Sequence, residues 1–83
     1  MRRRSEVISR EVDGRVVALD LGSSRYYSVN ATGALLWRLL ESDVSRSEMA
    51  AALIDRFGID LSTADADVDA FLEDLRVNGL LES

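Results

Sequence analysis

The spacing of apolar positions changes once along this chain, at Asn30. Before it, polar and apolar residues alternate. Val17, Leu19 and Leu21 interleave with Val16, Ala18 and Asp20 at the period of a half-buried strand. Asp13-Gly14, just upstream, is a strong two-residue hairpin signal, so Glu6 to Val12 is expected to pair antiparallel with that strand. Gly22-Ser23-Ser24 supplies a second turn, and Arg25 to Val29 reads as the third strand of a meander. Side chains in a strand alternate between faces, so Tyr27 and Val29 share one face while Tyr26 and Ser28 share the other. Two adjacent tyrosines cannot both be core. Tyr27 is expected to pack inward with Val29, and Tyr26 is left either for a contact role or for ordinary packing on the sheet surface.

From Asn30 the period becomes helical. Asn30 is a good N-cap, and the helix it opens, Ala31 to Leu40, carries Leu35, Leu36, Trp37, Leu39 and Leu40 almost all round, which makes it central. Trp37 should be core, with its indole N–H finding a partner. Ser45-Arg46-Ser47-Glu48 is a capping box opening a second helix whose inner stripe is Met49, Leu53, Ile54 and Phe57, stopped by Gly58. Ser62 with Asp65 repeats the start signal for a third helix, Ser62 to Asn78, with Ala64, Val68, Phe71, Leu72 and Leu75 inward and Gly79 beyond its end. The pattern predicts an α+β fold: an N-terminal three-stranded antiparallel sheet packed on three helices.

Eighty-three residues make one small domain, 1–83, in which nearly every apolar position is needed for packing. Met1 to Ser5 are expected to be a loose tail. The chain has no cysteine and no histidine, which removes disulfides, thiolate chemistry and the usual metal ligand and general base. Binding is therefore expected, with no catalysis, metal or cofactor. No apolar run follows Met1-Arg2-Arg3-Arg4, so neither a secretory signal nor a membrane span is expected, and the cytoplasm is the default compartment.

The formal net charge of −5 is unevenly spread. Residues 1–40 hold seven arginines against four acids, whereas residues 41–83 hold eleven acids against three arginines. An anionic C-terminal half repels phosphate backbones and attracts basic peptides. A winged-helix DNA-binding module remains the alternative of a different class, although its recognition helix should be basic and the third helix here is acidic. The acids Asp65, Asp67, Asp69, Glu73 and Asp74 fan out around that helix, so they do not converge on a metal or form an acid/base pair. Asp65 and Asp69, one turn apart beside Leu72, are best placed to receive a basic peptide.

Short motifs along the chain make a further pattern: Val12-Asp13-Gly14-Arg15, Leu19-Asp20, Tyr26-Tyr27-Ser28-Val29-Asn30, Thr32-Gly33-Ala34, Leu36-Trp37-Arg38-Leu39-Leu40, Ala51-Ala52-Leu53, and Asp67-Val68-Asp69-Ala70-Phe71-Leu72 followed by Leu75 and Gly79-Leu80-Leu81. In this order they resemble the PqqD-like leader-peptide recognition domains of ribosomal peptide natural-product pathways, over roughly Val7 to Leu81. Where the family usually has Leu before the Asn, this chain has Val29. The resemblance implies a winged-helix-like domain that binds the leader segment of a precursor peptide as an antiparallel strand on the free edge of the third strand, against the third helix. Carried over, the receiving edge is Arg25, Tyr26, Tyr27, Ser28 and Val29. The facing wall is then Val68, Asp69, Leu72 and Arg76, with Asp65 at its acidic flank. Chains of this size, lacking a fused peptidase, are most similar to the leader-binding partners of lasso-peptide pathways, which pass the precursor to a separate, cysteine-protease-like leader peptidase. A peptide chaperone for a radical-SAM maturase is the alternative within the family.

Overall fold

The computed structural model describes residues 1–82; Ser83, the last residue of the expected domain, lies outside the described residues. Three strands, β2 (Val7–Val12), β3 (Arg15–Asp20) and β4 (Arg25–Val29), form an antiparallel meander in the order β2-β3-β4. Asp13 and Gly14 take positive φ values of 51° and 77°, the left-handed pair that closes a two-residue hairpin, and Val12 pairs with Arg15 across it. Three helices follow, α1 (Ala31–Leu39), α2 (Arg46–Phe57) and α3 (Leu61–Val77), so the fold is α+β, as the pattern of the sequence predicts.

Each helix starts where a side chain satisfies its free amide groups. The Asn30 side chain accepts from the Gly33 N–H at 3.0 Å, and Ser45 and Glu48 form the reciprocal capping box of α2. For α3 the cap is Asp60, whose carboxylate accepts from the Thr63 N–H at 2.7 Å, and not Ser62, which lies inside the first turn. Asp60 stands three residues before Thr63, the separation an N-cap bond needs, so the cap lies two residues before the Ser62 signal and the helix begins at Leu61.

The core lies between the sheet and the helices, around Leu36, Trp37, Leu40, Met49, Leu53, Val68 and Leu75, all at most 1% exposed. The indole N–H of Trp37 donates to the Ser9 hydroxyl at 3.0 Å, which ties α1 to β2. The sheet turns its smaller side chains inward. Val16, Ala18 and Asp20 of β3 are buried, whereas Val17 and Leu19 are half-buried on the outer face and Leu21 is exposed. Small inward residues let α1 approach the sheet closely, and the bulkier ones are left outside. The inward Asp20 carboxylate accepts from the Gly22 N–H at 3.0 Å and faces Arg4 at 3.6 Å; the Gly22 bond is the main reason its pKa is held below the ordinary carboxylate value.

The N-terminal residues are not the loose tail expected from sequence. Arg2–Arg3 (β1) pairs antiparallel with Leu81–Glu82 (β5). The Arg3 N–H donates to the Leu40 carbonyl at 2.9 Å, and its guanidinium lies 4.7 Å over the Trp37 ring. Arg4 donates to the Gly79 carbonyl at 2.6 Å. The arginines that read as a solvated tip are the contacts that fasten the segment, because their long apolar stems cover the core while their charged ends reach carbonyls and a ring face.

Candidate functional site

The meander leaves β4 with one strand neighbour, β3, among the described residues, so its outer row of backbone groups is free to pair. The inward positions of this strand, Tyr27 and Val29, face α3. Between strand and helix lies a cleft of about 370 Å³. Its strand side is Tyr27, Ser28 and Val29; its base is Gly33 and Leu36 of α1; its helix side is Asp67, Ala70, Phe71 and Asp74 of α3.

Gly33 sets the depth of this cleft. A Cβ at that position would lie 2.9 Å from the Cβ of Val29, closer than such atoms approach, and 3.2 Å from Cε1 of Phe71, a tight contact. The missing side chain lets α1 start tight against β4 while the Phe71 ring rests on it. At one end the Tyr27 hydroxyl donates to the Asp74 carboxylate at 2.6 Å, so the strand and helix are joined there. The Tyr27 phenol is pushed well above its ordinary pKa, first by partial burial and then by the bond to and the charge of Asp74. At the other end stand Asn30, Thr32 and Asp67. Asp67 is exposed and has no ion-pair partner among the described residues.

The structure divides the residues expected from sequence into two groups. Tyr27, Ser28 and Val29 border the cleft, with Arg25 exposed at the start of the same edge strand. Tyr26 points to the outer face of the sheet and is 76% exposed. None of the expected helix-wall residues, Asp65, Val68, Asp69, Leu72 and Arg76, borders this cleft. Asp65 and Asp69 face α2, where Arg46 holds both: its Nε donates to Asp69 at 2.8 Å, its Nη2 reaches Asp69 and the Asp65 carbonyl, and its Nη1 lies 3.5 Å from the Asp65 carboxylate. Hydrogen bonding to Asp69 is the chief reason the Arg46 pKa is raised. Val68 is fully buried beneath the helix, Leu72 is half-buried against the core, and Arg76 pairs with Glu73 on its own helix at 2.6 Å.

The difference is a matter of helix phase. With Ala64, Val68, Phe71 and Leu75 inward, α3 has two flanks. Positions 65, 69, 72 and 76 lie on one and 67, 70 and 74 on the other, because successive residues turn by about 100°. Both flanks carry acids beside apolar residues, so composition does not separate them; α2 packs on the first, and the cleft opens on the second. Asp67, Ala70 and Asp74, which line the cleft, are not among the residues expected from sequence, and Phe71 is expected there only as core. The one signal lay outside α3: Arg46, in the first turn of α2, is a natural partner for the acids on the first flank.

An unpaired strand edge beside a narrow, partly apolar cleft defines a peptide-binding module, since an added strand gains main-chain bonds from the edge and side-chain contacts from the cleft. The family model described as coenzyme PQQ synthesis protein D (PqqD) matches residues 15–81, and the chain belongs to that family. No curated protein matches it. Among solved structures it is similar to TbiB1 in complex with the TbiA(beta) leader peptide, with 31% identity and a TM-score of 0.91 over 100% of this chain and 96% of that one. It is also similar to a lasso peptide synthetase B1 complexed with the leader peptide, with 29% identity and a TM-score of 0.82 over 95% of this chain and 93% of that one. No helix of the described residues is long and apolar enough to cross a membrane, and among them no cluster of acids, His or Cys could hold a metal ion.

Proposed function

We propose that this chain captures the leader segment of a ribosomally made precursor peptide in lasso-peptide maturation and delivers it to a separate leader peptidase. The observation that carries the reading is the free β4 edge with a cleft directly beneath it, in a chain whose solved relatives are leader complexes. The leader adds antiparallel along Arg25 to Val29, its inward side chains seated against Val29, Ala70 and Phe71. The chain performs no chemistry of its own and works in the cytoplasm, where the precursor is made. Its acidic third helix speaks against a nucleic-acid ligand.

The peptidase is proposed to dock on the outer face of the sheet. Ile8, Leu19 and Tyr26 are directly opposite one another across β2, β3 and β4, with Val12 and Val17 beside them. Ile8 is 55% and Tyr26 76% exposed, an unusual outlay of apolar surface for so small a domain. This row is continuous with the edge that receives the leader, so a protein seated there touches both the domain and the outward side chains of the bound strand.

Amide hydrogen exchange tests the first half: the cognate leader should slow exchange along Arg25 to Val29, and protection confined to other segments overturns strand addition there. For the second half, Ile8→Ser with Val12→Ser, both on β2 and away from the leader's edge, should leave leader affinity unchanged while peptidase-catalysed cleavage falls by about tenfold or more. Precursor incubated with this chain alone should keep its mass.

A further inference from the structure

The acids of the cleft are not equivalent, and their placement carries information about the ligand. The Tyr27–Asp74 bond fixes one correspondence between strand and helix, and the contact of Val29, Gly33 and Phe71 fixes the next. Moving from Tyr27 to Val29 along β4 therefore means moving from Asp74 to Phe71 along α3, so the two run in opposite directions. Asp67 lies one further turn along, at the Asn30 end. A strand added antiparallel to β4 runs parallel to α3. Its N-terminal part passes Asp67, its middle crosses the Phe71 floor, and its C-terminal part leaves beside Asp74.

The two ends differ in charge. Asp74 already accepts the Tyr27 hydroxyl, and Arg25, at the start of β4, brings a positive charge to that end. Asp67 has no ion-pair partner among the described residues. We infer that the cleft selects leaders by a charge placed upstream of an apolar anchor: a Lys or Arg seated on Asp67, two residues N-terminal to the side chain that rests on Gly33, Leu36 and Phe71. The spacing follows from geometry. Phe71 and Asp67 are four helix residues apart, about 6 Å along the axis, and two strand residues span about 6.6 Å and return to the same face. The pairing fixes the direction and register of an otherwise slippery edge-strand addition.

This inference rests on peptide capture at the β4 edge, and the test separates the two. A random dodecamer display library is selected against the wild-type chain, Asp67→Asn and Asp67→Lys. Asp67 makes no side-chain hydrogen bond or ion pair among the described residues, so all three should fold alike, which circular dichroism verifies. Wild type should enrich Lys or Arg two positions before an apolar residue, Asp67→Asn should lose that preference, and Asp67→Lys should exchange it for Asp or Glu. The best wild-type peptide should bind Asp67→Asn roughly threefold more weakly at low salt, a gap that closes in 1 M salt. Failure to enrich any peptide counts against capture itself. Enriched apolar anchors whose flanking charge is the same in all three selections overturn the inference and leave capture standing, and a cation enriched downstream of the anchor overturns the direction.

Discussion

The two flanks of α3 carry similar residues and have opposite fates. On one, Asp65 and Asp69 grip Arg46 of α2, and Leu72 covers the core. On the other, Asp67 stands free of ion pairs among the described residues, Asp74 meets a tyrosine from the edge strand, and Ala70 leaves room between them. The difference arises outside the helix. Where a neighbouring helix packs, the acids become fastenings; where only a strand edge faces the helix, they become the rim of an opening. A function assigned from the composition of one helix face thus depends on knowing which neighbour the face meets.

The sharpest way to break this contrast is to truncate one apolar side chain from each side of it. Phe71 is buried and forms the cleft floor, so Phe71→Ala should destabilise the domain by about 3–5 kcal/mol and also abolish measurable leader capture. Leu72, half-buried on the α2 flank, should cost only about 1–2 kcal/mol as Leu72→Ala and leave leader affinity unchanged. Chemical denaturation and a leader titration on both variants check it. A Leu72→Ala variant that folds fully yet loses the leader would return the site to the flank first expected from sequence.

Gly33→Ala probes the same cleft from its base. The added methyl group meets Val29 and the Phe71 ring, and the backbone of α1 cannot easily retreat because the Asn30 cap fixes its first turn. A loss of about 1–3 kcal/mol is expected, with weaker leader binding because the ring is pushed into the opening. Unchanged affinity at reduced stability would mean that the peptide does not reach the floor.

These two variants also show what the sequence made legible. The meander, three helices and most of the inner stripe of α3 follow from local signals: Asp13-Gly14, the Asn30 cap, the Ser45–Glu48 box, and apolar spacing. The β4 strand was legible from the Gly22-Ser23-Ser24 turn and the β-prone Tyr26 to Val29, and its role as receiving edge is what the family resemblance implies. Which flank of α3 opens on the cleft was not legible, since it depends on how α2 and β4 are arranged around Phe71, a tertiary fact that no spacing along α3 encodes. The clasp of Arg2–Arg3 on Leu81–Glu82 was hidden for a related reason: two-residue strands joined across the whole chain leave no periodic trace.

Tyr27→Phe is a milder test of how the strand and helix are joined. It removes the bond to Asp74 while keeping the ring, and on a partly exposed pair this should cost about 1 kcal/mol or less. The pH dependence is more telling. The folded chain raises the Tyr27 pKa above the ordinary value of 10.0, so its neutral phenol stabilises the fold fully below that pH. That contribution is lost as pH rises toward the higher folded value. Wild type should therefore lose stability above about pH 10, and Tyr27→Phe should start lower at neutral pH but decline less steeply. Parallel alkaline limbs in thermal melts would show that Tyr27 is not held against Asp74 in solution.

The smallest effects bear most directly on the two flanks. Asp69→Asn weakens the Arg46 bridge, but the paired side chains are 40% and 65% exposed, and solvent screening leaves such pairs little net worth. A slight drop in melting temperature is expected, disappearing in molar salt, with leader affinity unaltered because the bridge lies on the α2 side. Asp67→Asn should behave in the reverse way: an unchanged melt, since its carboxylate holds no partner within the described fold, and leader binding that loses part of its salt dependence. Equal losses of leader affinity in the two variants would mean that the peptide wraps over α3 and touches both flanks, and the division between fastening and opening would fall.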